Sequence, residues 1–97
     1  MKYSIRLTDS AIEDLDFYRK NERRLISDAM AVYLTYDADV HTRRRKPLRP
    51  NQIAQWELRI DDYRVFYDFE EEDVVKVVAV GHKEHNDLYV RGKKVEL

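Results

Sequence analysis

The chain has 97 residues, 43% hydrophobic and 11% aromatic, which is the length of one domain and enough apolar bulk to build a core. It contains no cysteine, so disulfides and thiolate metal sites are excluded and a reducing compartment is expected. Eighteen basic against nineteen acidic residues leave a formal charge of −1. No apolar run approaches the ~20 residues of a membrane span and no signal-like segment opens the chain, so the sequence predicts a cytoplasmic protein.

Tyr3 to Leu7 alternates in the manner of a strand. Thr8, Asp9 and Ser10 offer N-cap oxygens, and Ser10 with Glu13 fits a capping box. Ala11, Ile12, Leu15 and Tyr18 then recur at helical spacing. Asn21 is a second candidate cap, and Glu22 opens a longer helix with Leu25, Ile26, Ala29, Met30, Tyr33 and Tyr36 as its apolar stripe. So short a break predicts a two-helix antiparallel hairpin.

Residues 37–52 are polar, contain both prolines and have no period, which predicts a loop. From Ala54 the period becomes two. Trp56, Leu58 and Ile60 point one way, while Glu57 and Arg59 point the other. Asp61-Asp62 is a two-residue turn, and Tyr63, Val65, Tyr67 and Phe69 return along the next strand. This register sets Arg59 opposite Arg64, a like-charge pair that requires an acid or an anion beside it, or else a different register. Asp68 to Asp73 makes the next turn. Val74 to Val80 is a nearly continuous apolar strand of central character, ended by Gly81. The expected fold is α+β, one domain over residues 1–97. An N-terminal strand and two-helix hairpin precede a three-stranded antiparallel meander, with the helices on one face. Val90 to Leu97 is either a frayed tail or an edge addition.

Charge is segregated along the chain. Arg43, Arg44, Arg45, Lys46 and Arg49 form a basic arm without an acid, and Glu70, Glu71, Glu72 and Asp73 form the reverse. The arm suits a nucleic-acid backbone or is a solvated loop. Arg64, held on a strand, presents a guanidinium fork that matches a phosphate, or else pairs with Glu57 or Asp68. His82, Lys83, His85 and Tyr89 follow the last strand. Cleavage of RNA by its own 2′-hydroxyl needs a base for that proton, cations for the phosphorane charge and an acid for the leaving oxygen. The plain alternatives are a solvated histidine, a surface lysine and a packed tyrosine. His82-x-x-His85 without cysteine is a poor metal motif, and no glycine-rich phosphate loop or cofactor motif is present.

These residues resemble the RelE/ParE superfamily of bacterial toxins. The resemblance covers essentially the whole chain. It rests on the element order, on Leu48-Arg49 before the meander, on Leu58-Arg59 leading into Asp62-Tyr63-Arg64-Val65, and on Val78-Ala79-Val80-Gly81-His82-Lys83 running to Leu88-Tyr89. It implies a toxin of a type II toxin–antitoxin system, silenced by a cognate antitoxin. RelE-like members cleave messenger RNA on the ribosome without metal or cofactor. By that resemblance Arg64 holds the scissile phosphate, Lys83 stands where RelE has a second catalytic arginine, and Tyr89 falls on a catalytic or stacking tyrosine. Arg49 supports the site, with Arg59 and His82 as further RNA contacts.

There are departures from that pattern. Two lysines of RelE align with Gln55 and Glu57, which brings the chain nearer the YoeB-like branch, where a glutamate works with histidine and tyrosine; Glu57 or His85 would then take the proton. The pI near 6.3 is low for a ribosome-acting toxin. The leading expectation is a ribosome-dependent endoribonuclease. The runner-up is a ParE-like, non-catalytic inhibitor of DNA gyrase, and a third is a degenerate toxin that only binds its antitoxin. Cleavage requires the Arg64 guanidinium, the terminal imidazole and the Tyr89 phenol to converge on one nucleotide.

Overall fold

The computed structural model describes residues 1–97. Strand β1 (Ser4–Leu7) leads into helices α1 (Asp9–Asp16) and α2 (Lys20–Leu34). Six strands follow: β2 (Arg45–Pro47), β3 (Trp56–Ile60), β4 (Tyr63–Glu71), β5 (Val74–Glu84), β6 (Asp87–Val90) and β7 (Lys93–Val95). They form one sheet in the order β2-β3-β4-β5-β6-β7. β1 joins it by pairing parallel with β5, Ser4 to Leu7 against Val74 to Val77.

The helix starts fall earlier than the sequence indicated. Thr8, not Ser10, caps α1, its Oγ1 accepting the Ala11 amide at 3.1 Å. Arg19, not Asn21, precedes α2, and the Glu22 carboxylate reaches back to its amide at 3.3 Å. The two-helix hairpin lies on one face of the sheet, with α1 against β1 and β5 and α2 against β3. The apolar stripe is accordingly rotated. Ile26, Ala29, Met30 and Leu34 enter the core, while Ile12, Leu25 and Tyr36 stay exposed.

Strand alternation divides the apolar residues between two faces. Leu58, Ile60, Val65, Tyr67, Val75, Val77 and Val80 pack beneath the helices. On the opposite face Phe66 and Leu88 are covered by Leu48, Ile53 and Ala54 from the loop before β3 and by Val90 and Val95. A bulge makes this possible: Phe66 pairs with Ala79 but Tyr67 pairs with Val77, so Val78 is the extra residue. The unbroken apolar run of β5 is thus two half-sets, one for each face.

Three predicted boundaries move. The loop 37–52 contains β2, because its backbone pairs with β3 from Arg45↔Leu58 to Pro47↔Trp56. Its remainder is ordered by Asn51, whose Oδ1 accepts the Ile53 and Ala54 amides at 2.7 and 3.0 Å. Gly81 does not end β5. Its absent Cβ would stand 2.5 Å from the Tyr89 carbonyl oxygen, so glycine is required where β6 crosses closely. Finally, residues 87–95 extend the sheet by two strands. His85-Asn86 and Arg91-Gly92 form the connecting turns with positive φ at both positions (51° and 72°, 49° and 75°), the geometry of a two-residue hairpin loop.

One edge of β5 pairs with β4; the other pairs with β1 at its start and with β6 at its end, leaving the Val80 amide between them without a strand partner on that edge. Buried Asp14 fills that gap, its Oδ2 accepting the Val80 N–H at 3.1 Å. Its other oxygen faces the Arg91 guanidinium at 2.8 Å, which ties the last hairpin to α1.

Candidate functional site

The β3–β4 hairpin has the predicted register, with Arg59 opposite Arg64 and Ile60 opposite Tyr63. Both arginines lie on the face away from the helices, as does Lys46, which pairs with Glu57. The acid that a like-charge pair demands is Glu57, only 3% exposed. Its carboxylate accepts from Arg59 Nε at 2.9 Å and lies 3.9 Å from Arg64 Nε, a coulombic contact beyond hydrogen-bond reach.

Arg64 is held back from solvent. Its side chain is 15% exposed, and one terminal nitrogen donates to the carbonyls of Asp61 and Tyr63 at 2.8 and 2.9 Å. Its buried Nε has no hydrogen-bond partner. Burial lowers the guanidinium pKa and Glu57 opposes that shift, so the group remains a cation.

Glu57, Arg59, Asp62, Arg64, Lys83, His85 and Asn86 surround an open cleft of about 430 Å³. Lys83 reaches it from β5, two residues beyond Gly81, which stands opposite Arg64. His85 reaches it from the β5–β6 turn, where its φ of 51° is a conformation that histidine and asparagine tolerate better than most residues. A second basin, of about 520 Å³ and lined by Arg43, Arg44, Arg59 and Asp61, shares Arg59 with the first. Arg44 is steadied by the Tyr33 ring, 4.8 Å from its guanidinium carbon. Arg59, Arg64 and Lys83 on the helix-free face, with Arg43 and Arg44 beside Arg59, therefore make a run of cations that suits a polyanion.

Four of the residues singled out from sequence are placed elsewhere. Arg45 points under the helices, donating to the carbonyls of Val40 and Tyr33, each at 3.0 Å; it secures β2 and is not free for a nucleic acid. Arg49 is exposed beside a separate hollow that includes Lys46 and Leu97. His82 and Tyr89 are a cross-strand pair on the helix face, their rings stacked with centroids 5.8 Å apart. His82 Nδ1 meets the Tyr18 hydroxyl at 2.7 Å. The sheet therefore separates the Tyr89 phenol from Arg64 and His85, and the expected convergence of three groups is reduced to two. Period two continues through Gly81 and forces this: Val80 faces the helices, so His82 must as well. His82 and His85 open to opposite faces, and nowhere do three His, Asp or Glu side chains gather as a metal group would need.

The sequence reading missed the partners around His82. Tyr18 is buried and its hydroxyl pKa is raised by desolvation. Tyr63 donates to the Glu22 carboxylate at 2.5 Å; that bond raises the phenol pKa to about 12 and holds Glu22 below the usual carboxylate range. Tyr63 was legible as an inward strand position. Its bond to Glu22, 41 residues away, carries no local signal.

Two helices on one face of a largely antiparallel sheet, with a cationic β-hairpin on the other, define a toxin fold of the RelE/ParE kind. The same fold occurs in a chain of the toxin–antitoxin complex RelBE2 from Mycobacterium tuberculosis, at TM-score 0.69 and 24% identity over 86% of this chain and 100% of that one. It occurs again in a chain of the archaeal RelE–RelB complex from Pyrococcus horikoshii OT3, at TM-score 0.67 and 19% identity over 88% and 99%. No curated protein sequence matches the chain. The model of the family described as the ParE toxin of type II toxin–antitoxin system, parDE, matches residues 5–87, and the chain belongs to that family. It is a type II toxin of the RelE/ParE superfamily.

Proposed function

We propose that this toxin is a ribosome-dependent endoribonuclease of the cytoplasm, acting on messenger RNA through the helix-free face. One observation carries the reading: Arg59, Arg64, Lys83 and His85 line a single open cleft of nucleotide size. Arg64 and Lys83 hold the phosphate and stabilise the charge that grows on its oxygens. The 2′-hydroxyl oxygen attacks phosphorus and its proton passes to the His85 imidazole. The bond to the 5′-oxygen breaks, and that oxygen takes a proton from solvent at the open cleft. The products are a 2′,3′-cyclic phosphate and a 5′-hydroxyl. Glu57, buried between two arginines, orients them and leaves the proton transfer to His85.

The cognate partner is an antitoxin segment with an amphipathic helix that covers or distorts the Arg64 region. In its absence α2 leaves Leu25 and Val32 exposed seven residues apart on one line.

A second reading, non-catalytic inhibition of DNA gyrase, is favoured by the Tyr89 phenol lying across the sheet and by the backbone carbonyls that already engage Arg64. One experiment separates the two. The free toxin is added to a translation extract with message-end mapping, and in parallel to a gyrase supercoiling assay. Codon-phased cuts that vanish with Arg64→Ala support the nuclease. Intact message with arrested supercoiling overturns it in favour of the gyrase reading.

A further inference from the structure

On the helix side of the sheet a second cavity, of about 470 Å³, lies between the α1–α2 junction and the tip of the β3–β4 hairpin. Its walls are aromatic. Tyr18 meets Phe17, Tyr63 and His82 edge to face, with centroids 5.4, 5.5 and 5.7 Å apart. Its rim is acidic: Glu22, Asp61, Asp62 and Glu84 stand against only Arg19 and Lys83. Internal bonds hold the rings in place, Tyr63 on Glu22 and Tyr18 on His82. The Asp61 and Asp62 side chains, by contrast, make no hydrogen bond or ion pair within the chain, and Phe17 is 52% exposed.

We propose that this cavity is a binding site for an arginine side chain presented by a partner polypeptide. Aromatic faces attract a cation and are stacked best by a flat guanidinium. Two adjacent, uncommitted carboxylates match its fork of donors. An anion is disfavoured by the rim charge, and a neutral apolar group would leave both aspartates unused. The cavity adjoins the Arg64 cleft at the hairpin tip, where Asp62 and Lys83 line both, while its aromatic wall of Phe17, Tyr18 and Tyr63 belongs to it alone.

The test is an NMR titration of the full chain, observing the Phe17, Tyr18 and Tyr63 ring signals, with the amides of N-acetyl-arginine, N-acetyl-lysine and N-acetyl-glutamine as probes. Saturable shifts are expected with the arginine probe, several-fold weaker binding with lysine, and none with glutamine. Asp61→Asn with Asp62→Asn weakens the arginine probe about tenfold, the loss of one charge-assisted pair. Phe17→Ala, at an exposed position, weakens it several-fold and leaves message cutting or gyrase inhibition unchanged. Equal shifts with the glutamine probe overturn the site, as do arginine shifts that survive both sets of substitutions. Lysine binding as tightly as arginine overturns the guanidinium assignment.

Discussion

Arg64 is expected to matter more than any other residue, because it is the cation that the fold itself holds in place. Arg64→Ala should lower the rate of message cutting by about 10²–10³-fold, the usual effect of losing one preorganised charge donor. Arg64→Lys should not restore it, since an ammonium cannot reproduce the fork. Single-turnover cutting of a defined message measures both. Glu57 acts through its neighbours. Glu57→Gln leaves Arg64 largely buried without its counter-charge and should cost about 1–3 kcal/mol in urea unfolding. Glu22 and Tyr63 give opposite signatures with pH. Glu22 is held below its ordinary value of 4.5, so the stability it adds is present above that pH and lost as pH falls through the folded value. Tyr63 is raised from 10.0 to about 12, so its contribution is present below pH 10 and disappears as pH climbs toward 12. Unfolding of Tyr63→Phe across both ranges should be flatter than that of the parent. An unchanged profile would show that the bond does not persist in solution.

At the level of elements, the last two strands matter more than their length suggests. β6 and β7 supply Leu88, Val90 and Val95 to the cover over Phe66, and Arg91 supplies the counter-charge to Asp14. Gly81→Ala would place a methyl carbon 2.5 Å from the Tyr89 carbonyl oxygen. The expected cost is about 1–3 kcal/mol, with β6 amides losing hydrogen-exchange protection before those of β3 and β4. Uniform loss of protection would contradict the local account. The hairpin tip has a comparable logic. Asp61 takes a φ of 50°, and the Arg64 guanidinium caps its carbonyl. One side chain thus serves both the turn and the site.

For the whole molecule, the sheet sorts charge and chemistry onto two sides. The helix-free side gathers Arg59, Arg64 and Lys83, with Arg43 and Arg44 beside Arg59, whereas the cavity under the α1–α2 junction is rimmed mainly by acids. Near-zero net charge hides this polarity. Binding of a single-stranded RNA oligomer should therefore be steeply salt-dependent. Arg43→Ala with Arg44→Ala should reduce the slope of log K against log salt by about 1.4, since each phosphate no longer neutralised removes about 0.7. An unchanged slope would remove the basic loop from the interface. No helix is long and apolar enough to cross a membrane.

Local periodicity determined a good deal unaided. The alternation in Trp56 to Phe69 pointed to the hairpin register that is found and to Arg59 beside Arg64, a pair compatible with that register only if an acid or an anion lay next to it; the structure supplies the acid, Glu57. Helix followed by strand gave the layer order, and the motifs around Arg64 and Gly81 pointed to the superfamily. What failed was long-range. β2 pairs through its backbone, which composition does not report, and the His85-Asn86 and Arg91-Gly92 turns became meaningful only once β5 was seen to continue past Gly81. Only the tertiary structure decided which side of the sheet each functional group faces. Phase along a strand is carried by every residue, so a strand ended too early leaves the groups beyond it unassigned to a face, and His82 and Tyr89 fell on the other side from Arg64.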